Sequence, residues 1–308
     1  MTAVIQANML GATLYVPVTR SDLLEIASGR HGDLRSIVVC LEDAIREDEV
    51  AHARHVFAEF ILAIAPIANR IIVYARPRDP AMLAWMLDQP GIEGIDGFVL
   101  PKVATGNIDE WLVSLDRTDH ALMPTIEGCE AFDRGALIKL AHKLLYVSDR
   151  ITAIRIGGND ILNLLGARRS RTRTAYDGPL GAVIRDIANT FIPAGFAVAA
   201  PVFEHYGSIE LLREEVEQDI EHGLLTKTAI HPCQIGVIHA CYRPSEIEVE
   251  EARMLKEADS RAVFGSMGSM CEPATHRRWA DTVLARASQF GVAVGGANGS
   301  PLSPMKVA

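Results

Sequence analysis

The sequence lacks the features that mark disulfide-stabilised, membrane-spanning or nucleic-acid-binding proteins. Its five cysteines are odd in number and form no CxxC pair, which argues against a disulfide framework or a zinc ribbon. The longest apolar run, FILAIAPIA at 60–68, is too short to cross a bilayer and contains a proline. The net charge of −9 disfavours general binding of nucleic acid, because phosphate binding needs a basic surface.

Two further absences bear on location and fold. The start, MTAVIQANML, has neither the basic nor the apolar region of a signal peptide, so we expect a cytoplasmic protein without membrane contact. No glycine-rich dinucleotide loop follows the first predicted strand, which disfavours a doubly wound nucleotide-binding sheet. What the chain does have is 49% hydrophobic residues over 308 positions, enough for one large α/β barrel or two ordinary domains.

Short apolar runs alternate with helical patterns along most of the chain. The runs are nearly continuous in apolar residues, which is typical of parallel strands covered on both faces. Eight such units over about 230 residues match a (β/α)8 TIM barrel, with a doubly wound parallel sheet as the alternative. The predicted strands are 12–18, 36–42, 70–77, 97–102, 120–127, 153–160, 196–202 and 226–232.

Helical segments follow the last predicted strand as well. We predict a barrel over 1–243 and a C-terminal extension of helices with a lid-like tail over 244–308, of which 301–308 is frayed. The predicted helices are 49–65, 135–145, 208–223, 244–258 and a last one within 261–291.

Charged residues end most of the predicted strands, and in a TIM barrel these ends meet at one catalytic rim. Glu127 and Asp160 end consecutive strands, so a closed barrel would make them neighbours. Adjacent carboxylates repel each other and need a cation, and hard oxygen ligands suit Mg²⁺ or Mn²⁺. Arg76 and Lys102 end the two preceding strands and could hold a substrate carboxylate or an enolate.

Other residues near strand ends are candidates for contact with a substrate. Tyr74 shares a strand face with Arg76, since alternate residues of a strand point the same way. Gly157 and Gly158 would let a ligand approach the backbone closely. Further charged or polar candidates at strand ends are Arg20, Glu42, Asp43, Glu204 and His231.

Ordinary structural explanations exist for each of these residues taken alone. A single acid at a strand end often caps a helix or lies in a loop, and a lone histidine such as His231 is often a packed structural residue. The run RRSRTR at 168–173 could be a solvated loop or a phosphate-binding segment. Two acids on consecutive strands, preceded by an arginine and a lysine, are harder to explain in this way.

Seven short motifs follow one another along the chain: LYVPVTR, VVCLEDAI, GFVLPK, PTIEG, GGNDIL, KTAIHPCQI and RPSEIEVEEARM. They occur in the order found in citrate lyase β-subunit-like proteins, and the chain therefore resembles the HpcH/HpaI aldolase family, which includes malyl-CoA lyases. The resemblance runs from about residue 12 to about residue 285, and the segment MCEPATHRRWA is similar to a branch found near tellurium-resistance genes.

The resemblance implies a TIM barrel that uses a divalent metal to break or form a carbon–carbon bond through an enolate. Glu127 and Asp160 fall on the family's two metal carboxylates. Glu42 and Asp43 fall on an acidic pair near the metal, and His231 falls on the histidine of the last strand, which we expect to support the metal ligands indirectly.

Three departures from the family pattern concern the substrate. Cys40 stands where the family has an aspartate, and our alignment places Tyr74 where the family has its carboxylate-binding arginine. Arg76, two residues further on, could replace that arginine. Glu272 aligns with a C-terminal aspartate of malyl-CoA lyases, which implies that it could act as the general base.

The expected substrate is a 2-oxo or 2-hydroxy acid, or its CoA thioester, bound by a homo-oligomer of three or more subunits. Arg20 and the arginines of 168–173 are the candidates for binding CoA phosphates. The same site could instead serve thioester hydrolysis or phosphotransfer. A non-catalytic metabolite-binding subunit is a further alternative.

Overall fold

The structure, a computed structural model, describes residues 5–257 and 261–293. The chain divides into two compact units, one ending at His239 and one starting at Ala240, slightly before the boundary predicted at 243. The predicted tail at 301–308 lies outside the described residues. Within the described ranges, no helix is long and apolar enough to cross a membrane.

The first unit contains a closed barrel of eight parallel strands, in which each strand pairs with the next and the last pairs with the first. This confirms the predicted (β/α)8 TIM barrel. The strands are β1 Ala12–Pro17, β2 Ser36–Cys40, β3 Ile72–Arg76, β4 Gly97–Leu100, β5 Ala121–Ile126, β6 Ile154–Ile156, β7 Val198–Ala200 and β8 Thr226–Ala229.

Helices surround the barrel, and several begin at residues suited to that position. Asp79 accepts a hydrogen bond from the Met82 amide at 2.7 Å, and Asp133 accepts one from the Gly135 amide at the same distance. The helices are α1 Ala7–Leu10, α2 Leu23–Ala27, α3 Val50–Ile64, α4 Pro80–Leu87, α5 Ile108–Leu115, α6 Arg134–Leu144, α7 Gly158–Leu164, α8 Pro179–Phe191, α9 Ile209–Glu221 and α10 Cys233–Cys241.

One end of the barrel interior is filled by side chains. Leu10 of α1 packs there against Val38, Tyr74, Val99 and Met123, all fully buried. This packing makes the N-terminal part of the barrel a solid core, as in other TIM barrels. A ligand-binding cavity inside the barrel can therefore open only at the opposite, C-terminal end.

A buried network of charges joins β8 to α9. The ammonium of Lys227 lies 2.9 Å from Glu215 and 2.7 Å from Asp219, and all three side chains are fully buried. Arg169 pairs with Glu215 at 2.6 Å, and the hydroxyl of Tyr176 donates to Asp219. Arg169, one of the arginines in 168–173, is thus a core residue and not a surface phosphate ligand.

The second unit has its own small core. The helices α11 Glu246–Lys256 and α12 Pro273–Phe290 flank an antiparallel hairpin of β9 Phe264–Ser266 and β10 Ser269–Cys271. Met267 and Gly268 form its turn, both with positive φ, as type I′ turns require. The hairpin precedes the last helix, for which the sequence predicted only a position within 261–291. The cluster of this unit consists of Val249, Ala252, Leu255, Cys271, Ala280 and Val283.

Candidate active site

The C-terminal ends of β2, β3 and β5 bring two acids and one arginine into contact. The Arg76 guanidinium lies 3.0 Å from Glu42 and 3.1 Å from Glu127, and it also reaches Asp43 at 3.4 Å. Arg76, Glu42 and Glu127 are each less than 10% exposed. Charge pairs this well buried are short and strong, so they fix the orientation of Glu127.

Lys102 supports the same acids in two ways. Its backbone amide donates to Glu127 at 2.7 Å, and its side-chain ammonium donates to Glu42 at 2.7 Å. The residue has φ +52°, a left-handed conformation that is uncommon for residues other than glycine. Such strain is typical of functional sites.

Asp160 faces the same cavity from the first turn of α7. The sequence placed it at the end of a strand, but β6 ends at Ile156 and the helix begins at Gly158. Asp160 is nevertheless close enough to Glu127 to affect its ionisation. Burial raises the pKa of Glu127 to about 7, against a lowering by Arg76 and with a further rise from Asp160.

The other two acids of the site respond in opposite directions. Burial, followed by the hydrogen bond with Glu42, raises the pKa of Asp43 to about 6. Burial also opposes ionisation of Glu42, but its hydrogen bonds with Asp43 and Lys102 and the charge of Arg76 lower its pKa overall. Three carboxylates, those of Glu42, Asp43 and Glu127, thus share the cationic side chains of Arg76 and Lys102, and Asp160 adds a fourth acid to the same cavity.

These residues fit a metal that needs few protein ligands. Within the described ranges, no group of three or more His, Cys, Asp or Glu side chains is arranged to hold an ion. The oxygen pair of Glu127 and Asp160 suits Mg²⁺, which commonly binds through one or two carboxylates and keeps several waters. A closed structural zinc site would need four protein ligands and does not fit.

The two glycines at the start of α7 make room for protein atoms. A Cβ at Gly157 would collide with the carboxylate and the Cβ of Glu127, and one at Gly158 would lie 2.9 Å from Pro201. Both glycines also line the cavity. The contact of Gly157 with Glu127 and the position of both glycines in the cavity wall explain why the GGND motif belongs to the site.

A cavity of about 410 Å³ extends from these acids into the barrel. Its deeper wall includes Tyr15, Thr125, Arg155 and Thr228, none of which we selected from the sequence. The signal that identifies Arg155 is a charged residue inside the apolar strand AIRI, two positions before Gly157. The hydroxyl residues carry no such signal, because threonine and tyrosine are common in strands.

Tyr74 lies outside the cavity, which does not support its predicted contact with substrate. Its side chain is fully buried in the core around Leu10, and its hydroxyl hydrogen bonds to Thr152 at 2.7 Å. Tyr74 does share a face with Arg76, as predicted, but it lies two residues nearer the filled end of the barrel.

Five further barrel candidates also lie outside the residues that line the cavity. Two of them, Glu42 and Lys102, contact the lining residues Arg76 and Glu127, whereas the other three make their contacts elsewhere. His231 is exposed and stacks on Tyr206 with ring centroids 4.8 Å apart, so it is not placed to support the metal ligands. Arg20 pairs with Asp22 at the surface at 2.5 Å. Glu204 pairs with Arg168 at 3.2 Å.

Glu272 belongs to the second unit, where it precedes α12. Its carboxylate accepts a hydrogen bond from the Thr275 hydroxyl at 3.1 Å, and its amide donates to His276 at 3.1 Å. Its function as a general base stays a prediction.

Comparisons with known proteins identify relatives of this chain. A family model described as the C–C bond lyases of the TIM-barrel fold matches residues 4–292. The chain is 29% identical over 250 residues to a (3S)-malyl-CoA thioesterase of Cereibacter sphaeroides, covering 80% of this chain and 82% of that protein. It is 24% identical over 271 residues to a citrate lyase subunit beta-like protein of Deinococcus radiodurans, covering 85% and 89%.

A solved structure shows the same fold. It is the crystal structure of protein CitE from Mycobacterium tuberculosis in complex with magnesium, acetoacetate and coenzyme A. The TM-score is 0.67 at 22% identity, over 92% of this chain and 99% of that one.

Proposed function

The chain belongs to the family of C–C bond lyases of the TIM-barrel fold, and on that premise we propose that it is a Mg²⁺-dependent lyase. Its substrate is a 2-oxo or 2-hydroxy acid, or the CoA thioester of one. The observation that carries this proposal is the buried Glu127, oriented by Arg76 and by the Lys102 amide, with Asp160 facing the same cavity. The magnesium in the CitE complex supports the choice of metal.

Glu127 and Asp160 would hold the cation, or Mn²⁺ in its place. When bound, the ion supplies Lewis-acid stabilisation of negative charge on a substrate oxygen, worth several kcal/mol. The chain's own residues do the rest. Arg76, held by three carboxylates, retains an Nε without a hydrogen-bond partner among the described residues, and this group would orient the substrate carboxylate.

Bond cleavage needs a base and a place for the electron pair. A base removes the proton of the hydroxyl, the carbonyl forms, and the electrons of the broken C–C bond remain on the leaving fragment as an enolate. The Lys102 ammonium, about half exposed, would stabilise that charge. Glu272 is the proposed base, and Glu42 and Asp43 hold the Lys102 and Arg76 side chains in place.

The test is a product analysis by mass spectrometry. The substrates are malyl-CoA, citryl-CoA and a free 4-hydroxy-2-oxo acid, each with Mg²⁺ and with EDTA. We expect metal-dependent cleavage of at least one, reduced by about 10²-fold or more in Glu127→Gln, the size of effect seen when a key electrostatic stabiliser is removed. The control is Glu204→Gln, outside the cavity. Full activity of Glu127→Gln would overturn the proposal.

Thioester hydrolysis is the second candidate, favoured by the similarity to a protein named (3S)-malyl-CoA thioesterase. The same panel separates the two reactions. Hydrolysis releases the free acid with its carbon skeleton whole, whereas a lyase yields two carbon fragments.

A CoA substrate would need a site for its phosphates. Arg171 and Arg173 are exposed and have no ion-pair partner within the described part of the chain, and Arg173 lines a small cavity of about 100 Å³ with Arg168 and Ser170. Replacing Arg171 and Arg173 with glutamine should raise KM for a CoA thioester and leave KM for a free acid unchanged. Equal KM changes for both substrates would exclude a phosphate-specific role.

A further inference from the structure

Arg155 is a buried cation without an acidic partner. Its side chain is 2% exposed, yet no carboxylate pairs with it within the described residues. Its guanidinium contacts the Thr228 hydroxyl and the Met123 sulfur, the latter at 3.5 Å, and lies over the Tyr15 ring at 5.1 Å. The neighbouring buried arginine Arg76 has three carboxylates instead.

Such a charge is costly to bury. An ionised group taken out of water is normally paired with an opposite charge, because unpaired burial costs several kcal/mol. Contacts with a hydroxyl, a sulfur and an aromatic ring offset only part of this cost. Arg155 is also aimed at open space, because it lines the cavity of about 410 Å³. Both facts point to an anion supplied from outside the chain.

Two hydroxyl groups near Arg155 are also without partners. The Thr125 hydroxyl is buried and makes no hydrogen bond, and Thr125 is paired in register with Arg155 across β5 and β6. The Tyr15 side chain lines the same cavity, and its hydroxyl makes no hydrogen bond within the described ranges. Buried polar groups without partners are rare, and the Thr125 hydroxyl is one of them. Beside an unpaired cation, and with the Tyr15 hydroxyl available in the same cavity, it indicates a binding surface.

The distance to the rim limits the size of the ligand. Thr125 precedes Glu127 by two residues on the same strand face, and Arg155 precedes Gly157 in the same way. Two residues of a strand span about 7 Å. If the 2-oxo end of a substrate is held at the rim, its fourth or fifth carbon would therefore lie beside Arg155.

We propose that Arg155, Thr125 and Tyr15 form a carboxylate-binding floor of the cavity, which selects 2-oxo or 2-hydroxy dicarboxylic acids of four or five carbons. The guanidinium neutralises the second carboxylate of the substrate, and the two hydroxyl groups donate hydrogen bonds to it. The inference rests on the proposed function, since the reacting end of the substrate must bind at Glu127 and Asp160.

The test compares two ligands of equal length by isothermal titration calorimetry with Mg²⁺. 2-Oxoglutarate carries a terminal carboxylate where 2-oxopentanoate carries a methyl group. We expect the wild-type protein to bind 2-oxoglutarate at least tenfold more tightly. Arg155→Met should reduce that preference to within twofold. Arg117→Met, at a surface ion pair, should keep the preference.

The outcomes separate this inference from the proposed function. Equal binding of both ligands, binding of neither, or a preference that survives Arg155→Met overturns the carboxylate floor. If 2-oxopentanoate binds equally well with EDTA and in Glu127→Gln, the metal-dependent function fails. In that case the proposed carboxylate-binding floor remains supported if the preference for 2-oxoglutarate depends on Arg155.

A second pair of measurements guards against a purely structural role of Arg155. Thr125→Val keeps the shape of the side chain and should lower the preference for 2-oxoglutarate severalfold. Without ligand, the Tm of Arg155→Met should equal or exceed that of wild type, because an unpaired charge has been removed. A lower Tm together with an unchanged preference in Thr125→Val would overturn the proposal.

Discussion

Gly157 leaves no space for a side chain beside the proposed metal ligand Glu127. A Cβ at this position would collide with the Glu127 carboxylate, so Gly157→Ala must displace that carboxylate. We expect the affinity for Mg²⁺ or Mn²⁺ to fall at least tenfold, as when groups that orient metal ligands are changed. Titration calorimetry of the variant with either ion measures the loss.

Gly106→Ala is the matched control for this change. A Cβ at Gly106 would meet nothing within 4 Å, and the metal affinity should stay within twofold of wild type. A Gly157→Ala variant that binds metal as tightly as Gly106→Ala would show that the Glu127 position is unimportant for binding.

His120 is a partly buried imidazole at the start of β5. One ring nitrogen contacts the Thr118 hydroxyl and the other the Ile92 carbonyl at 3.2 Å. Burial lowers the pKa of His120 below its ordinary value of 6.5, so the folded protein favours the neutral ring. Its contribution to stability is therefore present above pH 6.5 and is lost as the pH falls below that value.

Urea unfolding at a series of pH values checks this expectation. The wild-type free energy of unfolding should fall more between pH 7.5 and 5.5 than that of His120→Gln. The exposed His142→Gln variant should follow the wild-type curve. Parallel curves for His120→Gln and wild type would contradict the assignment.

The sequence predicted which side chains lie at the strand ends, but it did not predict how deep in the barrel a side chain lies. Arg76, Lys102 and Glu127 were selected because each follows an apolar strand, and the structure brings them together. Tyr74 was selected because alternate residues of a strand share a face with each other, but it lies in the filled end of the barrel. Arg155 was missed although a charged residue inside an apolar strand is unusual, because its position in the cavity depends on the neighbouring strands.

The link between β8 and α9 depends on Lys227. Lys227→Met would leave Glu215 and Asp219 buried without this cation. Removing one partner of a buried charge cluster costs about 3–5 kcal/mol, so the free energy of unfolding should fall by that amount. Chemical denaturation monitored by circular dichroism measures it.

The control is a lysine in a similar pair at the surface. Lys143 lies 2.6 Å from Asp109, but the pair is exposed. Lys143→Met should therefore cost less than about 1 kcal/mol. Equal costs for the two variants would mean that the buried network is no more important than an ordinary surface ion pair.

Most strands and helices could be predicted from local patterns, and the exceptions have physical causes. The acids of α9 suggest a solvated face, yet Glu215 and Asp219 are buried, because Lys227 and Arg169 neutralise them. The short hairpin β9–β10 was missed since its strands have three residues each and no alternating pattern. The burial of the α9 acids and the formation of the hairpin both depend on contacts between residues that are distant in sequence.

Metal binding should stabilise the whole folded chain. An ion that binds the folded state alone adds about 2.7 kcal/mol at one hundred times its Kd. Thermal unfolding should therefore shift to higher temperature with saturating Mg²⁺ and return with EDTA. Glu127→Gln should remove most of the shift. An equal Mg²⁺-dependent shift in wild type and Glu127→Gln would place the stabilising ion elsewhere.

The predicted oligomer can be tested through its active sites. If Glu272 acts in the site of a neighbouring subunit, mixing inactive Glu127→Gln and Glu272→Gln proteins restores some complete sites. Random mixing in a cyclic assembly should give about one quarter of wild-type activity. The proteins should be mixed after denaturation and refolded together. No regained activity would place both residues in one subunit or exclude Glu272 from catalysis.

Lys102 supports two acids with two different parts of one residue, its amide and its ammonium. A Lys102→Ala substitution would remove only the ammonium and keep the hydrogen bond from the backbone amide to Glu127. It would therefore understate the importance of this position. Lys102→Gly would remove the ammonium and also relieve the strain of the left-handed backbone, so a loss and a gain would be measured together. The amide contribution becomes visible only when the peptide bond is replaced by an ester through chemical synthesis, which removes the N–H and keeps the side chain.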